Sequence, residues 1–176
     1  MDAHYDQVMD ARSRADGAPE RVYFAYSTIL DRGAFEEWRH QHGYDFFELP
    51  AGEPAEALDV ALVYDFPSRW WGGRVAGLVD RPGASVHGLL FRIPGKDWPI
   101  IQHKEGFVTH MCVERAVRVR AGGRDLEATA FTTADNRKSD EGPISARFVE
   151  ALARGAQSAG LPASWVASVR TATAAH

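Results

Sequence analysis

The chain has 176 residues, of which 45% are hydrophobic and 25% are charged, and its net charge is −4. A chain of this length and composition can bury one sizeable core, and its interspersed charges exclude a basic stripe for nucleic acid or a polybasic membrane-binding segment. No apolar run is long enough to span a membrane, and the polar N-terminal residues lack the apolar core of a signal peptide. Cys112 is the single cysteine, which excludes an internal disulfide and fits a reducing compartment. We therefore expect a soluble, cytoplasmic protein that binds neither nucleic acid nor membranes.

The first half of the chain predicts a strand, a helix and two further strands. We expect residues 1–20 to form a flexible arm or a short helix, and residues 21–172 to form a single domain. The aromatic and aliphatic run at residues 21–26 predicts a buried strand. Asp31 is placed to cap a helix that extends to His42. Residues beyond that helix are rich in Pro and Gly, so we expect an irregular segment over 43–59, strands over 60–66 and 74–79, and a turn over 80–83.

A central stretch, residues 85–107, predicts a buried strand, a turn and a short helix. The strand covers residues 86–93, Asp97 can cap the helix, and Pro99 is tolerated in its first turn. Gly106 is the usual left-handed stop of a helix, which places Glu105 at the helix C-terminus.

Glu105 is the candidate catalytic residue of this stretch. The helix dipole is negative at a C-terminus and raises the pKa of a carboxylate there, which makes that carboxylate a better general base. The alternative is an ordinary surface glutamate beside a helix stop, and spacing alone leaves both interpretations open.

The second half of the chain predicts a hairpin followed by two helices. Strands are expected over residues 108–120 and 126–133, joined by a turn at 121–123. Ser145 is placed to cap a helix with an apolar stripe, and a final short helix ends near Val169. This order of elements predicts an α+β fold with a mostly antiparallel sheet or a small barrel.

Several chemistries are excluded or disfavoured by the residues. No Gly-rich phosphate loop and no serine nucleophile elbow is present. His40 and His42 lie one residue apart on a helix and point to different faces, so no metal site is predicted. Cys112 lies within a predicted strand, where packing is favoured over a nucleophilic role. Trp70 and Trp71 beside two glycines either wall a ligand pocket or plug the end of the sheet.

Four segments together resemble the γ-glutamylcyclotransferase-like family, of the AIG2-like or butirosin-biosynthesis cyclotransferase type. The first is an aromatic strand that ends in a polar turn (residues 23–30), and the second is an aromatic-Gly-Gly loop (70–73). The third is a strand and short helix that end in Glu-Gly (86–106), and the fourth is a closing helix (143–162). The resemblance spans nearly the whole of the expected domain.

The resemblance implies a small mixed β-barrel with flanking helices and Glu105 in the catalytic position. It implies an enzyme, a lyase or acyltransferase, that cyclises a γ-glutamyl amide and releases 5-oxoproline and an amine or amino acid. Neither a metal nor an organic cofactor is implied, the partner is a small-molecule substrate, and the protein is expected to be a monomer or homodimer. The residues expected to bind substrate are Tyr26, Ser27, Thr28, Ile29, Leu30, Trp71, Gly72 and Phe131.

The chain also departs from the family pattern. Ser27-Thr28-Ile29 stands where the family has Gly-Ser-Asn, and Phe131 and Phe148 stand where tyrosines are common. The expected pocket is therefore more apolar, which favours a substrate with a larger apolar amine. The alternative is a small-molecule-binding protein on the same fold that has lost activity, and a third possibility is a structural or partner-binding domain.

Overall fold

The computed structural model describes residues 3–172, which contain five strands and five α-helices. The strands are β1 (Arg21–Ala25), β2 (Glu53–Ser68), β3 (Gly73–Ile93), β4 (Cys112–Ala121) and β5 (Arg124–Thr133). The helices are α1 (Tyr5–Arg14), α2 (Arg32–Gln41), α3 (Trp98–Lys104), α4 (Ala146–Ser158) and α5 (Ala163–Thr171). No helix in this part of the chain is long and apolar enough to cross a membrane.

The five strands close into a barrel in the order β1-β3-β2-β4-β5. Neighbouring strands are antiparallel, except that β1 and β5 run parallel where the barrel closes. The α+β class and the small mixed barrel with flanking helices are therefore confirmed.

Side chains that alternate along the strands divide the core into two clusters. One cluster draws on every strand and includes Phe24, Ala57, Val86, Val119 and Ala128. The other joins the helices to the opposite face of β1, where Tyr23 and Ala25 lie. Because β1 is buried on both faces, its continuous apolar sequence follows from its position.

The strands β2 and β3 differ most from the sequence-based expectation. β2 begins at Glu53, inside the segment expected to be irregular, and β3 is one long strand instead of two short ones. The expected turn at 80–83 is a bulge within β3, where the pairing passes from Leu58–Ser85 to Val60–Asp80. Cross-strand pairing, which is not visible in a local pattern, overrides the Pro-Gly turn signal here.

The N-terminal segment contains a short helix, which is one of the two alternatives expected for residues 1–20. Helix α1 packs on the domain through Val8, which is buried in the helix-side cluster. The guanidinium of Arg12 donates to the Asp97 carboxylate at 2.8 Å. Asp97 was expected to cap α3, but its side chain makes no capping hydrogen bond and instead holds α1 beside that helix.

The contact between Arg12 and Asp97 leads to a stability prediction. Replacing Arg12 with Ala should cost about 1–3 kcal/mol, because the side chains are only 25% and 11% exposed and Asp97 would lose its partner. Replacing Arg14, whose ion pair with Asp10 is 73% and 64% exposed, should cost less than about 0.5 kcal/mol. Urea unfolding of the two variants compares these costs, and equal costs would mean that α1 is not anchored through Arg12.

Candidate active site

Glu105 is the C-cap residue of helix α3, directly after Lys104. The N–H of Gly106 donates to the carbonyl of His103 at 3.1 Å, and the N–H of Phe107 donates to that of Gln102 at 2.9 Å. Gly106 has φ +78°, so these two bonds form a Schellman motif with glycine in its left-handed position. The expected helix stop is confirmed, and the motif fixes the backbone of Glu105.

The carboxylate of Glu105 is partly buried and accepts a hydrogen bond from Tyr23. The distance from the Tyr23 hydroxyl to Oε1 of Glu105 is 2.7 Å. Burial raises the pKa of Glu105, and the charge of Lys104 and the hydrogen bond from Tyr23 oppose that rise only in part. A carboxylate with a raised pKa, held by one donor, is suited to accept and return a proton near neutral pH.

Tyr23 is held in place by three aromatic rings. The ring centres of Phe91, Trp98 and Phe131 lie 5.9, 5.9 and 6.0 Å from that of Tyr23. Burial, followed by the charge of Glu105, raises the pKa of Tyr23 well above its usual value, so the hydroxyl remains a donor. Tyr23 is thus fixed by the three rings and orients the Glu105 carboxylate through its hydrogen bond.

A cavity of about 210 Å³ opens beside Glu105. Its polar wall comes from the turn after β1, the end of β2 and the end of α3, and contains Ser27, Thr28, Ser68 and Glu105. Its apolar wall contains Phe66, Trp71, Val75, Met111, Phe131 and Phe148. A mostly apolar concave site with a few converging polar groups is typical of small-molecule binding.

A larger groove, of about 650 Å³, lies elsewhere on the surface and includes Asp65, Arg74 and Lys138. Glu105 is not among its residues. Arg74 is already bonded to the carbonyls of Tyr64 and Gly142 at 2.7 and 2.9 Å. We place the candidate site at the smaller cavity, because a carboxylate with a raised pKa lines it together with Ser27 and Thr28.

The structure brings most of the expected site residues together. Tyr26, Ser27, Thr28, Trp71 and Phe131 line the same cavity as Glu105. Tyr26 donates its hydroxyl to the carbonyl of Phe131 at 2.5 Å, which ties the end of β1 to β5 and leaves that proton unavailable to a ligand.

Three expected binding residues do not line this cavity. Ile29 and Leu30 are buried in the helix-side cluster, because the short turn after β1 directs their side chains into the core. Gly72 lies in an exposed turn with φ +68°, next to a different groove. In the aromatic-Gly-Gly loop, Trp71 lines the cavity. Its ring makes an edge-to-face contact with Phe148, with 5.4 Å between the ring centres.

Ser27 and Thr28, in the turn after β1, line the cavity, and the backbone of Ser27 has an ordinary conformation. Ser27 has φ −118° and ψ −152°, a region open to any residue, so the glycine of the family pattern is not required here. The turn closes by bonds from the N–H of Leu30 to Ser27 O and from the N–H of Asp31 to Thr28 O, both 3.1 Å. Leu30 N–H is therefore engaged, whereas the N–H groups of Ser27 and Thr28 take no part in the bonds that close the turn.

Sequence reasoning missed Tyr23, Lys104, Met111 and Cys112 as residues of the site. Alternation along β1 places Tyr23 and Phe24 on opposite faces of the strand. Nothing in the local sequence indicates that Tyr23 contacts Glu105, 82 positions away. Burial, with Glu105 and Asp65, raises the pKa of the Cys112 thiol to about 12, so it is not a thiolate nucleophile. Among residues 3–172, no group of three or more His, Cys, Asp or Glu side chains is placed to hold a metal ion.

Comparisons with known proteins agree with the fold. Residues 85–169 match the model of the AIG2-like family. A search of curated proteins found no match. YkqA from Bacillus subtilis has a similar structure, with a TM-score of 0.75 and 19% identity, over 94% of this chain and 58% of YkqA. The chain thus spans less than two thirds of that protein.

Two further structures have comparable lengths. A gamma-glutamyl cyclotransferase aligns with a TM-score of 0.68 and 20% identity over 86% of both chains. A yeast gamma-glutamyl cyclotransferase specific to glutathione aligns with a TM-score of 0.62 and 9% identity, over 89% of this chain and 96% of that one. At these identities the comparison establishes a shared fold.

Proposed function

The chain has the γ-glutamylcyclotransferase-like fold and resembles the AIG2-like family over residues 85–169, and from this premise we propose that it cyclises a γ-glutamyl amide. The products are 5-oxoproline and an amine, and Glu105 is the general acid and base. The observation that carries the proposal is the position of Glu105: its pKa is raised by burial, and it lines one cavity with Ser27 and Thr28.

In the proposed reaction, Glu105 takes a proton from the substrate's α-ammonium group, and the resulting amine attacks the γ-carbonyl carbon. A C–N bond forms within a five-membered ring, and the carbonyl oxygen becomes negatively charged. The amide C–N bond then breaks. The α-nitrogen gives up two protons in all, Glu105 carries them to the leaving amine, and the carboxylate ends ionised as it began. No water or oxidant is consumed.

The protein contributes mainly a folded substrate conformation and donors for the developing oxyanion. The attack is intramolecular, so holding the glutamyl chain folded supplies a very large effective molarity. The N–H groups of Ser27 and Thr28 are suited to the oxyanion, since neither takes part in the bonds that close their turn. Their hydroxyls add further polar contacts for the glutamyl part.

A second candidate is a binding protein on the same fold without turnover. The observation that favours it is the pair Phe131 and Phe148, which line the cavity with rings where tyrosine hydroxyls are common in the family pattern. The buried Ile29 does not favour it, because that side chain fills the core and leaves the cavity wall unchanged.

The test is incubation of the full chain with a panel of γ-glutamyl amides and detection of 5-oxoproline by mass spectrometry. Formation of 5-oxoproline from at least one amide, dependent on Glu105, supports the enzyme. Thermal stabilisation by these amides without any product would select the binding protein and reject the proposed reaction.

The hydrogen bond from Tyr23 predicts a specific pH effect. Tyr23 stabilises the ionised form of Glu105, so Tyr23→Phe should raise the pKa of Glu105 further. The base must be ionised, so the acid limb of kcat/KM should move to higher pH. We expect about a tenfold loss on that limb and little change on the alkaline plateau. A pH–rate profile measures it.

Tyr64→Phe is the matched control for this profile. The Tyr64 hydroxyl is buried, has no hydrogen-bond partner among the described residues and lies outside the cavity of Glu105. Its removal should leave the acid limb where it is. An acid limb that is unchanged in Tyr23→Phe would show that Glu105 is not the titrating base.

A further inference from the structure

The cavity beside Glu105 is smaller than a typical ligand pocket. Its volume of about 210 Å³ compares with roughly 300–1,000 Å³ for sites that enclose a whole ligand. If the glutamyl part folds inside it, as the proposed function requires, the substituent on the leaving amine extends through the mouth. The leaving nitrogen must lie within hydrogen-bond reach of Glu105, so the surface next to Glu105 contacts this substituent.

That surface is the loop of residues 106–111, which joins α3 to β4. The loop is held by its own hydrogen bonds: Gly106 O accepts from Met111 N–H at 3.0 Å and from the Thr109 hydroxyl at 3.0 Å. The N–H of His110 donates to Phe107 O, also at 3.0 Å. The loop therefore presents its side chains from an ordered backbone directly beside the catalytic carboxylate.

Two large apolar side chains of this loop are exposed, one on the cavity wall and the other beside a residue of that wall. Met111 lines the cavity and is nevertheless 41% exposed. Phe107 is 36% exposed, and its ring centre lies 6.4 Å from that of Phe131, a cavity residue. Adjacent exposed apolar side chains at a pocket mouth are typical of a ligand contact, and the unbranched Met side chain adapts to different apolar shapes.

The two charged side chains that line the cavity are of opposite sign and provide no net positive charge for a carboxylate on the amine. Among the described residues that line the cavity, Lys104 has the one cationic side chain, and its ammonium lies 5.5 Å from the centre of the Trp38 ring on α2. The remaining charged lining residue is Glu105, which would repel a second carboxylate nearby.

We propose that Phe107 and Met111 form the recognition surface for the leaving amine, and that this amine bears an apolar group and no carboxylate. The proposal rests on the cyclisation proposed above and adds the class of amide on which it acts. Apolar alkyl or aryl amides of γ-glutamate are the favoured substrates, ahead of γ-glutamyl amino acids.

The experiment compares γ-glutamylbenzylamide with γ-glutamylglycine at pH 8, following the release of benzylamine and of glycine in one reaction, because 5-oxoproline is common to both substrates. We expect the native chain to favour the benzylamide in kcat/KM. Met111→Ser and Phe107→Ser should each reduce this preference by about tenfold or more, since removing an apolar contact acts on the benzylamide alone. Met111→Leu should retain the preference. The ratio is measured within one sample, so partial unfolding cancels.

Val113→Ser is the matched control. Val113 is 43% exposed, but it follows Cys112 on β4 and so points to the face opposite the cavity. It should leave both substrates unchanged. A native preference for γ-glutamylglycine, or a benzylamide preference unaffected by either serine variant, would overturn the inference while leaving the cyclisation in place. Absence of 5-oxoproline from every amide would overturn the cyclisation itself and this inference with it.

Discussion

Replacing Glu105 with Gln should reduce the formation of 5-oxoproline by about 10²- to 10⁴-fold, the usual contribution of a general acid–base group. Glu105 is the one carboxylate among the described residues that line the cavity, so no neighbour can take over its role. The amide of Gln can still accept from the Tyr23 hydroxyl, which preserves the local packing. Mass spectrometry with each γ-glutamyl amide of the panel measures the loss.

Glu37→Gln is the control, because Glu37 is exposed on α2 and accepts a hydrogen bond from Gln41, away from the cavity. It should turn over substrate as the native chain does. Full activity of Glu105→Gln beside a normal Glu37→Gln would remove Glu105 from the mechanism.

The same Glu105 variant should also be more stable than the native chain at neutral pH. Burial raises the pKa of Glu105 in the folded state above its value in the unfolded chain. Below the unfolded pKa the carboxyl is protonated in both states and carries no penalty. Between the unfolded pKa and the higher folded pKa, the carboxyl is ionised in the unfolded chain but still protonated in the folded one. Native stability therefore falls as the pH rises through this window. The Gln variant lacks this loss, so its advantage in unfolding free energy should grow with pH and then level off.

Urea unfolding of both proteins between pH 4 and pH 8 measures this difference. An advantage that is constant with pH would mean that the Glu105 carboxyl is as well hydrated in the folded state as in the unfolded chain. A gain in stability together with a loss of turnover is the pattern expected when a strained or desolvated group is retained for activity.

Gly88→Ala should destabilise the fold by about 3 kcal/mol or more, the upper range for overpacking a core. A Cβ at this position would lie 2.2 Å from the carbonyl oxygen of Ala25 and 2.8 Å from the ring of Phe24. The Ala25 oxygen is backbone, and β1 is held by its pairing with β3, so the clash cannot be relieved by a side-chain rotation. Urea denaturation gives the change in unfolding free energy.

Gly33→Ala provides the comparison. Gly33 lies in the first turn of α2, is exposed, and its added Cβ would meet only the Asp31 carboxylate, at 3.4 Å. This substitution should be neutral or stabilise by up to about 1 kcal/mol. If Gly88→Ala were equally harmless, β1 would have room to move, and the turn that begins at Ser27 would not be a fixed wall of the site.

Local chemistry in the sequence determined the N-termini of α2 and α4 and the C-terminus of α3. Asp31 accepts from the N–H of Ala34 at 3.1 Å and Ser145 from that of Phe148 at 3.1 Å, as their positions before apolar periodic segments predict. Gly106 ends α3 because only a left-handed residue completes the motif there. These features depend on residues within one helical turn of each other, so a sequence pattern contains all that they require.

Tertiary structure alone decided the parts that depend on distant partners. The extent of β2 and β3 follows from cross-strand pairing, and α1 is docked because Arg12 reaches a carboxylate 85 positions away. Tyr23 meets Glu105 only because the barrel brings β1 against the end of α3. Glu105 could be singled out from its place beside a glycine, but its desolvation, its donor and the cavity that it faces arise from packing between remote segments, which no local pattern encodes.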